Sequence, residues 1–173
     1  PDTLYVATLK AGIESAAGHA TEGDFTWSFT TGRTPRPAPF FTGGFADEGQ
    51  DADGDGRFET LVIRVGVHVT ATGSYDLSGT LVDSKGVEIG WTPLAADLTP
   101  GAHFLDLTFE GAAIGGHGVD GPYTLRNLTL VLNDTVNQIP LASVHARHAH
   151  RTAAYPVSKF PAPLRFTGYP TWW

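Results

Sequence analysis

The segment 59–70, ETLVIRVGVHVT, alternates apolar side chains with others along its whole length. A side-chain period of two belongs to a β-strand and cannot be laid on one face of a helix. Leu61, Ile63, Val65, Val67 and Val69 point one way, and Val62, Arg64, Gly66, His68 and Thr70 the other. Similar runs follow at 74–82 (SYDLSGTLV), 87–91 (VEIGW), 102–110 (AHFLDLTFE), 123–132 (YTLRNLTLVL) and 139–150 (IPLASVHARHAH). They are separated by turn formers such as Asp83-Ser84-Lys85-Gly86 and the glycine-rich loop from Gly111 to Pro122. With 21 glycines and 12 prolines in 173 residues, the chain has the punctuation that many short strands need. The expected fold is all-β, an antiparallel sandwich over residues 40–160, with no helix longer than a turn or two. One strand is out of phase: Tyr123 and Leu125 have one parity, and Leu128, Leu130 and Leu132 the other. A β-bulge at Arg126-Asn127 would turn both sets inward.

Ahead of the sandwich, residues 4–10 and 24–31 alternate as strands around a loop at 11–23, with Phe25, Trp27 and Phe29 on one face. The stretch GRTPRPAP is proline-rich and reads as a stiff linker. The expected organisation is a partial module at 1–33, a linker at 34–39, the sandwich at 40–160 and a proline- and aromatic-rich tail at 161–173. A segment as short as 1–33 lies below the roughly 40 residues at which unaided folding becomes unlikely.

The string LYVATLKAGIESAAGHATEGDFTWSFTTG resembles the closing part of the bacterial Ig-like module of S-layer and adhesin-type surface proteins. The ending TWSFTTG carries the likeness; Ser15, Ala16, Ala17, Gly18 and His19 stand where that family has a loop element with Asp and Asn. The resemblance implies that the front strands of this Ig-like sandwich come from elsewhere. The sources would be other modules of the same protein, or neighbouring copies by strand complementation. Residues 40–160 resemble calcium-loop β-sandwich modules of secreted bacterial proteins, on DADGDG, GSYDLSGTLVD and GVDGPYTLRNLTL. This resemblance implies a secreted or cell-surface location. A chain that starts at Pro1 and holds no Met is expected to be a processed product or fragment, with any targeting signal outside it.

The net charge of −7 argues against nucleic acid and anionic membranes as partners, since both need a basic face. No apolar run approaches the ~18 residues of a membrane span. There is no cysteine, hence no disulfide framework or thiolate chemistry.

The acids are concentrated. Asp47, Glu48, Asp51, Asp53, Asp55 and Glu59 fall in one short segment. Calcium takes about six to eight hard oxygens, and Asp at positions 1, 3 and 5 of a tight loop can turn inward together, with Gly56 allowing the turn that follows. An EF-hand would place an acid at position 12, where this chain has Val62. The spacing instead resembles the short calcium loops of integrin-type propeller blades. That likeness implies a shell of Asp51, Asp53, Asp55, the Arg57 carbonyl and Glu59, to which Asp47 or Glu48 would add. Magnesium suits the set less, because it keeps more of its waters. The plain alternative is a solvated acidic turn.

His145, His148 and His150 offer a second cluster; on a regular strand His148 and His150 would share a face and His145 would lie opposite. Exposed strand histidines are the simpler account. No G-x-S-x-G elbow or phosphate cradle occurs, so no catalytic residue is assigned. Tyr75, Trp91, Phe104, Trp172 and Trp173 raise a sugar-stacking alternative to core and edge packing. The expected function is that of a non-catalytic structural or adhesive module stabilised by calcium. The alternative is an accessory, carbohydrate-binding module of a secreted protease or glycoside hydrolase, with a surface glycan as ligand.

Overall fold

The computed structural model describes residues 3–14, 16–31, 38–134 and 139–162. Most of the linker, Ser15, and the tail with Trp172 and Trp173 lie outside the described residues. The chain divides into two compact units, Pro1–Arg36 and Pro37–Trp173.

The first unit is a two-stranded antiparallel sheet of β1 (Thr3–Leu9) and β2 (Phe25–Thr31). Asp24 closes it, accepting from Lys10 Nζ at 2.6 Å and from the Ala11 amide at 2.9 Å.

The second unit holds β3 (Phe40–Gln50), β4 (Thr60–Val69), β5 (Gly73–Val82), β6 (Glu88–Leu98), β7 (Gly101–Glu110), a short helix α1 (Gly111–His117), β8 (Thr124–Asp134), β9 (Ile139–Arg151) and a 3-10 turn at Val157–Lys159. One sheet runs β3-β4-β7 and the other β6-β5-β8-β9, with every pairing antiparallel. Lettered A to G in chain order, the sheets are A-B-E and D-C-F-G. This is the immunoglobulin constant arrangement with strand D moved from E to C.

The core lies between the sheets. Leu61, Ile63, Val65, Val67 and Val69 of β4 are fully buried, against Tyr75, Leu77 and Leu81 of β5, Leu105 and Leu107 of β7, and the leucines of β8. Burying each such side chain is worth about 1.5–3 kcal/mol. The phase break in β8 is a bulge: Ser78 faces Thr129 while Thr80 faces Arg126, and Asn127 takes a left-handed φ of 51°. Leu125 before it and Leu128, Leu130 and Leu132 after it are all buried. Tyr123 at the head of β8 sends its hydroxyl back to the Val119 carbonyl at 2.9 Å. This is the tyrosine corner that locks the E–F crossing of such sandwiches. Burial pushes the Tyr123 phenol up to about 12.

Two elements differ from the expectation. β3 lies in a stretch, FFTGGFADEGQ, that has no clean alternation, because its register shifts between Phe41 and Phe45. It is an edge strand, where glycines, acids and irregularity are tolerated and discourage edge-to-edge pairing. β6 runs on through Pro93 to Leu98, beyond the strand expected at 87–91. It too is an edge, and an edge can carry a proline.

Leu130→Ala is expected to cost about 2–5 kcal/mol in urea unfolding. Asn127→Gly, which suits the left-handed bulge, is expected to change stability by less than about 0.5 kcal/mol.

Candidate metal centre

The last register pair between β3 and β4, Gln50 with Thr60, leaves residues 51–59 as the connecting loop. Gly54 and Gly56 take φ of +78° and +87°, which residues with a Cβ rarely adopt. These two reversals let the backbone fold around its own side chains. Asp51 accepts from the amides of Gly54 at 2.7 Å and Gly56 at 2.9 Å. Asp53 accepts from Asp55 N at 3.1 Å, Asp55 from Arg57 N at 2.8 Å, and Glu59 from Ala52 N at 2.6 Å.

The outcome is that Asp51, Asp53, Asp55 and Glu59 each present a carboxylate oxygen within 4.8 Å of the others. Two like charges 4 Å apart repel by about 1 kcal/mol even in water, so the group favours a cation. Ligands on opposite sides of Ca²⁺ stand about 4.6–5.2 Å apart, twice its bond length, and the oxygens lie within that span. The donor set therefore fits calcium.

The second half of the loop rests on a fixed base. Phe58 N donates to the Lys159 carbonyl at 2.6 Å, Gly111 N to the Glu59 carbonyl at 2.6 Å, and Lys159 Nζ to the Gly56 carbonyl at 3.3 Å. The Phe58 ring meets Tyr155 and Phe160 edge-on at 6.1 and 5.7 Å, and Phe160 is buried.

Asp47 does not join the carboxylate group, contrary to the expectation. It points from β3 toward β9 and the segment after it. One oxygen accepts from His150 Nε2 at 2.6 Å, and the other from Ala153 N at 3.0 Å and Tyr155 Oη at 2.8 Å. The Phe45 ring stacks on His150 at 5.4 Å. With 8% of its side chain exposed, Asp47 clips one sheet to the other. Glu48, beside it on β3, is likewise outside the converging group. Burial alone would raise the Asp47 carboxyl, but its hydrogen bonds from His150, Ala153 and Tyr155 outweigh that and hold it below the usual range. Tyr155 is pushed up to about 12 by burial and by Asp47.

The histidines also differ from a regular strand. A register shift leaves His150 opposite the buried Leu125 and His148 opposite Arg126, so the two do not share a face. His145 Nδ1 meets Thr129 Oγ1 at 3.1 Å. Tyr75 is core, whereas Trp91 and Phe104 are exposed. Trp91 borders a cleft of about 240 Å³ between Ile89–Thr92 of β6 and Thr108–Glu110 of β7, with Ile114 of α1 at its floor.

A family model described as "Domain of unknown function (DUF4785) C-terminal domain" matches residues 49–147. A crystal structure of a DUF4785 family protein from Legionella pneumophila subsp. pneumophila str. Philadelphia 1 is similar at 18% identity and a TM-score of 0.39. The match covers 73% of this chain and 32% of that one, so the chain spans about a third of the Legionella protein's length. No curated protein matches.

Because folding depresses the Asp47 carboxyl, its contribution is complete above its unfolded value of about 3.9 and is lost as pH falls through the folded value. Asp47→Asn is expected to cost about 1–3 kcal/mol at pH 7. That deficit should shrink steadily in urea titrations taken below about pH 4. A deficit independent of pH would show that the charge is not what holds the clip.

Proposed function

The chain belongs to the DUF4785 family, and on that premise we propose that it is a calcium-stabilised, non-catalytic structural or adhesive module of a secreted or cell-surface bacterial protein. The observation that carries this reading is the convergence of Asp51, Asp53, Asp55 and Glu59 at the β3–β4 turn. The ion would take these four carboxylates, with the Arg57 carbonyl as a further ligand. Its work is structural: it would cancel the repulsion in the loop and fix the point where β4 enters the core.

The proposed location assumes that the loop has the affinity of extracellular calcium modules. Calcium loops of extracellular modules bind with Kd of about 10⁻⁴–10⁻³ M, and such a site fills only where calcium is abundant, outside the cell. The non-catalytic part is supported by Asp47, His150 and Tyr155. This acid–histidine–tyrosine group has the residue types of a reactive site, yet both Asp47 oxygens are occupied by donors that clip β3 to β9 and the segment after it.

A second reading, a carbohydrate-binding module attached to a secreted enzyme, is favoured by the exposed Trp91 beside the β6–β7 cleft. An aromatic ring presents a negative face on which the C–H bonds of a sugar can stack. Glu110, Thr92 and Thr108 border the same cleft.

At calcium 100-fold above Kd the stabilisation would be about 2.7 kcal/mol. The melting temperature is expected to rise on adding calcium to chelator-treated protein, and Asp53→Ala should abolish most of that rise while melting near the wild type in chelator. Equal melting with calcium and with chelator would defeat the reading. Sedimentation with insoluble polysaccharides, compared between the wild type and Trp91→Ala, separates the second reading; it requires binding that the substitution removes.

A further inference from the structure

The sheet of β1 and β2 carries an apolar face that, among the described residues of its own unit, nothing else covers. Its register sets Tyr5 opposite Phe29, Ala7 opposite Trp27 and Leu9 opposite Phe25. Directly opposed residues share a face, so these six apolar side chains form one continuous patch. Tyr5 stacks on Phe29 at 5.4 Å, and Phe25 lies against Trp27 at 5.9 Å. Yet Trp27 is 44% and Phe25 65% exposed. The other face is more polar: it carries Ser28 and the hydroxyl pair of Thr8 and Thr26, at 3.1 Å, beside Leu4 and Val6.

The ribbon is specified in detail all the same. Its connecting loop is held by Gly12 N to Thr21 O and Thr21 N to Ile13 O, each at 3.1 Å, besides the two bonds to Asp24. A two-stranded ribbon is marginal by itself in water. An exposed aromatic patch on a sheet with, among the described residues, only two strands is the kind of surface that marks a contact.

We propose that this face is covered by the stretch of the same polypeptide that runs N-terminal to it, and that β1 and β2 are the last two strands of the sandwich so formed. The family match supports that occupant: it begins at residue 49 and is described as the C-terminal domain. The ribbon thus lies upstream of the domain that this description calls C-terminal. Covalent attachment supports it too. A neighbouring segment of the same chain acts at an effective concentration of about millimolar, which a second copy in dilute solution does not reach. The upstream strands would pair with a bare edge of the ribbon and set an apolar sheet over Trp27, Phe25 and Phe29.

The test compares the 173-residue chain with the same protein extended upstream, each carrying Trp91→Phe, Trp172→Phe and Trp173→Phe, with every tryptophan of the extension also replaced by Phe, so that Trp27 is the sole tryptophan reporter. Acrylamide quenching of Trp27 is expected to be several-fold weaker in the extended protein, at every protein concentration. Equal quenching in the two overturns the proposal. Shielding that grows with protein concentration also overturns it, in favour of a second copy as occupant. Should the triple variant not fold, amide exchange of β1 and β2 in the unsubstituted proteins gives the same decision: slower exchange in the extended protein supports the proposal, and unchanged exchange defeats it.

Discussion

Packing of the inner face of β4 against the leucines of β5 and β8 is the constraint on which the rest of residues 38–162 depends. Five β4 side chains are fully buried, so this strand has one permitted register. A slip of one residue would bring Arg64 and His68 into the core. Because the β3–β4 pairing ends at Gln50 with Thr60, that register also fixes where the acidic loop begins and ends. The carboxylates therefore gather at the end of the sandwich, on an anchored turn. The same logic explains the bulge in β8, whose extra residue lets Leu125 and Leu128 both reach the core.

The two sides of the sandwich are finished differently. Where β3 meets β9, Asp47, His150 and Tyr155 tie the sheets together, and Phe45 covers the imidazole. Phe160 then seals the end below, between Phe58, Tyr123 and Tyr155. Where β6 meets β7, the edges part around a cleft bordered by the exposed Trp91. One side is closed by the chain's own polar clip, and the other is left open.

Much of this was legible in the sequence wherever one face of a strand is buried, as in β4, β5, β7 and β8, because burial enforces alternation. The bulge was legible for the same reason, since a change of parity between Leu125 and Leu128 has few physical solutions. The edge strands were harder to read. β3 faces only one neighbour and carries glycines and acids, so its pattern is weak. The Asp-Gly spacing marked residues 51–59 as a tight turn, and the turn does bring four of its carboxylates together. Asp47 was assigned to that loop by proximity in sequence. Its true partners, His150, Ala153 and Tyr155, lie more than a hundred residues later and join it only through the pairing of the two sheets' edges. No local pattern could have supplied them, although the shift in β9 that turns His150 inward answers the same bulged region of β8.

On the proposed reading, the loop of residues 51–59 is a calcium site built on a fixed base. Phe58 N donates to the Lys159 carbonyl and Lys159 Nζ to the Gly56 carbonyl, so an ion bound by the carboxylates should be felt at Phe58 and Lys159. Titrating calcium into chelator-treated, isotope-labelled protein and following the backbone amide resonances tests this most directly. Saturable shifts are expected, with a Kd of about 10⁻⁴–10⁻³ M, at Gly54, Gly56 and Arg57 and more weakly at Phe58 and Lys159, all absent in Asp55→Ala. Resonances of residues 51–59 that stay unchanged as calcium passes well beyond that range would contradict it.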